Sequence, residues 1–133
     1  MPNTIQLGYI NVSKNNIPEE FFTLIETEDT LENYYALLDC TTIDIVRRKI
    51  GNRFFTFVVD DEGLLRAGCK FGALSPDCQD GLAGNLLIAN QNLSELSSLT
   101  EEDFKYLKNN IGMAISPNEE VEYVLLINNS AFY

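Results

Sequence analysis

Two neighbouring segments with the composition of β-strands constrain the fold of this chain more than any other feature. Residues Ile43–Ile50 and Arg53–Val59 are rich in β-branched and aromatic side chains, and only Gly51-Asn52 separates them. Glycine and asparagine tolerate the positive φ of a two-residue hairpin turn, so the pattern predicts an antiparallel hairpin. A second turn at Asp60–Gly63 leads into Leu64-Leu65 and extends the hairpin into a predicted β-meander.

Two other segments carry the signals with which helices begin. Asp29–Asp39 offers Asp29 or Thr30 as an N-cap, followed by apolar residues at helical spacing. Thr100–Asp103 resembles a capping box with aspartate in place of glutamate, and it predicts a helix that extends to about Ile111.

The rest of the chain adds further strands, and its length suits one domain over residues 1–133. Residues 68–84 contain four glycines and a proline, which predicts an ordered loop with about one helical turn. We therefore expect an α+β fold, in which an antiparallel sheet with the central meander carries the two capped helices on one face. The further strand-like segments are Thr4–Val12, Phe21–Glu26, Asn85–Asn90 and Val121–Asn128.

The charge of the chain restricts its partners. Its formal net charge of −11 disfavours direct binding to nucleic acid and to anionic membranes, and it suits a basic protein partner. Histidine is absent, which removes the commonest general base and the commonest metal ligand. We therefore expect no enzymatic activity, no catalytic residues, no bound metal and no cofactor.

The cysteines and the N-terminal residues predict a cytoplasmic protein. Cys40, Cys69 and Cys78 are odd in number and contain no close pair, which is a poor disulfide framework. The first ten residues lack a basic segment followed by an apolar run, so no signal peptide is expected. No apolar stretch approaches the roughly 20 residues that span a bilayer.

A series of short motifs in the middle of the chain resembles a known family. The segments are TLENYYALLD, IDIV, VVDDEGLL, GLAGNLLIAN and SSLTEEDFKYL, which together extend from Thr30 to Leu107. In this order they are similar to domain-of-unknown-function family 3846, which is met in phages, plasmids and mobile elements. The resemblance implies an accessory protein of a phage or mobile element, and it implies no particular activity.

The predicted meander holds the first candidate site. Six of the nine basic residues lie within residues 47–70. Among them Arg47, Lys49 and Arg53, together with Phe54, are expected to form a patch that binds a nucleotide or another anionic ligand through its charges and one aromatic face. The alternative is that these charges protect an edge strand from aggregation or pair with surrounding acids.

The second candidate site is acidic. Glu101, Glu102 and Asp103, together with similar rows such as Glu119-Glu120-Glu122, form a surface for a basic partner in this interpretation. The alternative is that these acids cap the helix, at the end where the helix dipole favours negative charge, and otherwise solvate the surface. Our first hypothesis is a non-enzymatic binding protein that docks on a host protein, such as a defence factor. The alternative function is binding or sequestering of a small anionic ligand at the meander.

Overall fold

The computed structural model describes residues 3–63, 70–93, 95–115 and 118–129. The helices are α1 (Pro18–Phe21), α2 (Leu31–Leu38) and α3 (Glu101–Lys108), with one turn of 3-10 helix at Val12–Lys14. The strands are β1 (Thr4–Ile10), β2 (Phe22–Glu28), β3 (Ile43–Ile50), β4 (Arg53–Asp60), β5 (Phe71–Leu74), β6 (Gly81–Ala83), β7 (Leu86–Asn92), β8 (Glu95–Ser97), β9 (Ile111–Ile115) and β10 (Val121–Leu126).

Within these residues the strands form two sheets. The larger has the order β2-β1-β7-β4-β3, with β8 paired to β7, and all its pairs are antiparallel. The smaller has the order β6-β5-β10-β9, in which β10 runs parallel to β5 and the other pairs are antiparallel. The predicted combination of helices with an antiparallel sheet is therefore confirmed.

The two longer helices lie on opposite faces of the larger sheet, whereas the sequence analysis placed both on one face. Tyr34 and Leu38 of α2 pack against a cluster that includes Val58, while Leu107 of α3 joins a separate cluster that includes Phe57. Neighbouring residues of a strand point to opposite faces. The central strands β4 and β7 are apolar on both faces, so each face must be covered.

The segment predicted as a loop contains two strands instead. Phe71–Leu74 and Gly81–Ala83 pair with each other, and β5 also pairs with β10 from the far end of the chain. The turn between them is held by Ser75, whose Oγ donates to the Asp77 carboxylate at 2.5 Å. The partner strand lies about fifty residues away in sequence, so local periodicity carries no sign of the pairing. Residues 68 and 69, and the third meander strand at Leu64-Leu65, lie outside the described residues.

Helix α3 ends three residues earlier than the sequence analysis placed its end. The Asn110 carbonyl accepts from the Leu126 N–H at 2.8 Å, so it belongs to the sheet ladder rather than to the helix. Ile111 then begins β9 opposite Leu125. Ile111 has the spacing of a helical core residue because it packs against the same core cluster as Leu107 of α3, but it does so from a strand.

Candidate functional site

The hairpin of β3 and β4 positions the basic candidate residues. Ile50 pairs with Arg53, Lys49 with Phe54 and Arg47 with Thr56, which is the register of a two-residue turn. Residues directly opposite each other share a face of the sheet. Arg47, Lys49 and Phe54 therefore lie on one face, and β3 is the edge strand there.

These three side chains form what we call the basic–aromatic patch. The Arg47 guanidinium carbon lies 4.7 Å from the centroid of the Phe54 ring, and the Lys49 Nζ lies 5.8 Å from it. Phe54 is 43 % exposed. Both cations are within the range of cation–π contact, so the ring holds two positive charges side by side at the surface. Such a pair attracts an anion.

The structure does not bring Arg53 into this patch. Arg53 shares the opposite face with Ile50, and its guanidinium carbon lies 4.8 Å from the ring centroid of Tyr106 and 5.0 Å from that of Phe55. It also forms an ion pair with Asp103. The alternation of side chains carried through the turn is the signal that separates Arg53 from Lys49 and Phe54.

The ion pair also removes Asp103 from the acidic candidate surface. Asp103 is only 6 % exposed, and its Oδ2 accepts from the Thr100 N–H at 2.9 Å and from the Asn90 Nδ2 at 2.7 Å. Burial alone raises the pKa of this carboxyl, but the hydrogen bonds from Thr100, Arg53 and Asn90 outweigh it and hold the pKa at about 2.

Glu101 and Glu102 remain exposed in the first turn of α3. The three candidate acids therefore do not form one surface: two face solvent, and the third closes a capping box with Thr100 and anchors the hairpin of β3 and β4 to α3. A variant at Asp103 changes the fold as well as the surface charge, so it is a poor probe of partner binding.

A second acidic surface combines carboxylates with exposed apolar side chains. Met113 is 71 % exposed, Ile115 75 % and Val121 46 %. Val121 pairs with Ile115, and Tyr123 pairs with Met113, so these side chains share one face of the β9–β10 pair. We call this pair of strands, with the acids that adjoin β10, the acidic hairpin.

The acids of the acidic hairpin stand beside and behind this apolar face. Glu119 and Glu120 are exposed immediately before β10. Glu122 pairs with Ala114 and therefore lies on the opposite face from Ile115. The glutamate row is predicted from the sequence, but its apolar neighbours are not; the signal for them is the uncharged segment IGMAI of β9.

Other classes of site receive no support from the described part of the chain. There, no three cysteine, aspartate or glutamate side chains are grouped so that they could hold a metal ion. No helix among the described residues combines the length and the apolar character needed to cross a membrane.

Arg48, the remaining basic residue of β3, lies 3.3 Å from the Asp80 carboxylate through its Nε.

Comparison with known proteins identifies the family. The chain matches the family described as Domain of unknown function (DUF3846) over residues 16–112, which is more than half of its length. No curated protein and no solved structure matches the chain significantly. The matched region contains α2, α3 and the six-stranded sheet from β2 onwards, and it ends within β9. The chain therefore belongs to the DUF3846 family, as its motifs predicted.

Proposed function

We propose that this member of the DUF3846 family is a non-enzymatic binding protein that docks on a basic protein partner through its acidic surfaces. The observation that carries the proposal is the acidic hairpin, where Met113, Ile115 and Val121 are exposed together beside Glu119. Grouped apolar side chains with a polar rim mark interaction sites, whereas single exposed apolar residues do not.

The charge of the molecule supports a basic partner. A net charge of −11 repels acidic proteins and speeds the encounter with basic ones. The exposed Glu101 and Glu102 contribute to the same field, while Asp103 is neutralised within the fold. In the setting that the family resemblance implies, a phage or mobile element, the partner would be a host protein such as a defence factor.

Charge reversal with a matched control tests this proposal. Glu119→Lys with Glu120→Lys changes the acidic hairpin, and Glu19→Lys with Glu20→Lys in α1 changes the net charge equally at another exposed pair. Each tagged variant is used to capture proteins from a host lysate at low and high salt, and the bound proteins are identified by mass spectrometry.

We expect the wild-type protein and the α1 variant to retain the same basic partner at low salt and to lose it at high salt. The hairpin variant is expected to retain little of it at either salt concentration. Equal retention by all three proteins, or a captured partner that is acidic, would contradict the proposal.

The basic–aromatic patch favours a second candidate function, the binding or sequestering of a small anionic ligand such as a nucleotide. Arg47 lies against the Phe54 ring and Lys49 lies beside it, which places two cations on one rigid support. Because Arg47 already occupies this ring, the anionic group of the ligand would make the main contact, through charge-assisted hydrogen bonds.

Native mass spectrometry with a panel of nucleotides tests the second candidate. The Arg47→Ala, Lys49→Ala double variant should lose nucleotide adducts that the wild-type protein retains. Lys105→Ala with Lys108→Ala in α3 removes the same charge elsewhere and should leave the adducts intact. Adducts of equal intensity on the patch variant and on the wild type would exclude this site.

A further inference from the structure

Strand β9 differs from the other sheet edges in the described residues. The sheets end at β2 and β3 and at β6 and β9, and β8, a three-residue strand with one glutamate, pairs only with β7. Strand β2 carries two glutamates near its end, β3 carries four charged residues, and β6 is only three residues long. Charges and short length are common protections against unwanted strand pairing. The five residues of β9, IGMAI, have neither charge nor proline.

Among the described residues no strand pairs with the outer edge of β9, so this edge presents backbone hydrogen-bonding groups. The Asn110 carbonyl accepts from Leu126, and the register continues with Gly112 opposite Val124 and Ala114 opposite Glu122. Antiparallel pairing alternates, so the Asn110 carbonyl and the backbone groups of Gly112 and Ala114 are directed to β10. Ile111, Met113 and Ile115 therefore direct theirs away from the sheet, where an added strand would pair.

We infer that β9 accepts an extended segment of the basic partner as an added strand, a mode of binding that rests on the proposed function. Main-chain hydrogen bonds give such a contact its affinity, and alternate side chains give its specificity. One face of the added strand would meet Met113 and Ile115, and the other would meet Ala114, beyond which lies Glu122.

The side chains around β9 determine what such a segment contains. Apolar residues fit the face of Met113 and Ile115, which are both mostly exposed. Ala114 is small, so a lysine or arginine opposite it has room to extend towards Glu122 on the next strand. A segment with alternating apolar and basic residues therefore satisfies both faces at once.

Charge also distinguishes this occupant from a second copy of the chain. Pairing two β9 strands would bring two acidic hairpins together, each with Glu119 and Glu122, in a chain whose net charge is −11. Like charges placed close together across an interface are destabilising. The geometry suits either strand, but the charge favours a basic segment from another protein.

A synthetic peptide of alternating lysine and valine serves as the probe, and its binding is followed by fluorescence anisotropy. The Met113 N–H points away from β10, so Met113→Pro removes it without removing a bond between β9 and β10. Proline is tolerated at such edge positions. Met113→Ala removes the same side chain but keeps the N–H. We expect the proline variant to bind roughly tenfold more weakly than the alanine variant, because about one backbone hydrogen bond and its geometry are lost.

A second measurement does not depend on how the proline variant folds. Hydrogen exchange of the wild-type protein should show slower exchange at the amides of Met113 and Ile115 when the lysine–valine peptide is bound. Circular dichroism of both Met113 variants checks that their folds are intact.

The outcomes separate the inference from the proposed function. If Glu119→Lys with Glu120→Lys abolishes peptide binding but the two Met113 variants bind equally, the acidic hairpin docks the partner and strand addition is overturned. No peptide binding up to about millimolar concentration, or no protection of the Met113 amide, also overturns strand addition. A wild-type dimer that Met113→Pro dissociates would overturn the basic segment as the occupant. Failure of the proposed function is detected separately, in the lysate experiment: the variant Glu119→Lys with Glu120→Lys would then retain as much of the partner as the wild-type protein.

Discussion

Replacing Asp103 with asparagine tests how much the ionised carboxylate, held by Thr100, Arg53 and Asn90, stabilises the fold. The pKa of the Asp103 carboxyl lies at about 2, against an ordinary value of 3.8. One pKa unit corresponds to about 1.4 kcal/mol, so the charged form contributes about 2 kcal/mol to the free energy of unfolding at neutral pH. Asparagine retains an acceptor for the Thr100 N–H but lacks the charge that pairs with Arg53.

The pH dependence of this contribution has a definite sign. A carboxyl whose pKa is lowered on folding stabilises the protein above the pKa of the unfolded chain. That stabilisation is lost as the pH falls through the folded-state pKa. For Asp103 the loss therefore extends from about pH 4 to about pH 2.

Urea denaturation of the wild-type protein and of Asp103→Asn at a series of pH values measures the effect. We expect a difference of about 2 kcal/mol at pH 7 that shrinks by more than half at about pH 2.5. Glu102→Gln, an exposed change in the same helical turn, should cost less than about 0.5 kcal/mol. A difference for Asp103→Asn that stays constant across the pH range would refute the assignment of this stability to the ionised carboxylate.

Three further substitutions test how the hairpin and the first strand are held. Gly51 has φ of +63°, and a Cβ there would overlap the Tyr106 hydroxyl. Gly51→Ala should therefore lower the free energy of unfolding, measured by urea denaturation, by about 2 kcal/mol. Tyr106→Phe removes the 2.7 Å bond that this hydroxyl donates to the Ile50 carbonyl, and about 1 kcal/mol should be lost; no loss would mean that the contact is not formed. Asn85→Ala breaks the 3.2 Å bond to the Tyr9 hydroxyl and should lower the melting temperature by several degrees, whereas an unchanged melting temperature would contradict a role for this amide.

Local signals in the sequence identify much of the larger sheet. The two-residue turn at Gly51-Asn52 fixes the register in which Lys49 faces Phe54, because strand alternation and turn geometry are both local. The start of α3 is also predicted from the sequence, because Thr100 is a preferred N-cap residue and three acidic residues follow it. The position of Arg53 follows from the same alternation once the turn length is known.

Non-local contacts explain what the sequence does not show. Strand β5 depends on a parallel pairing with β10, and neither the glycine-rich segment around it nor its own four residues has a period. The role of Asp103 depends on Arg53, which lies fifty positions earlier in the chain. The exposure of Met113 and Ile115 depends on β9 being an edge, which is a property of the assembled sheet.

Mapping the peptide-binding surface by NMR tests the central claim most directly. Titrating the isotope-labelled protein with the lysine–valine peptide reports which backbone amides change their environment. The proposed docking predicts shifts concentrated in β9 and β10, with the largest at Met113 and Ile115. Shifts concentrated at Glu101 and Glu102, or the absence of any saturable shift, would contradict docking through the acidic hairpin.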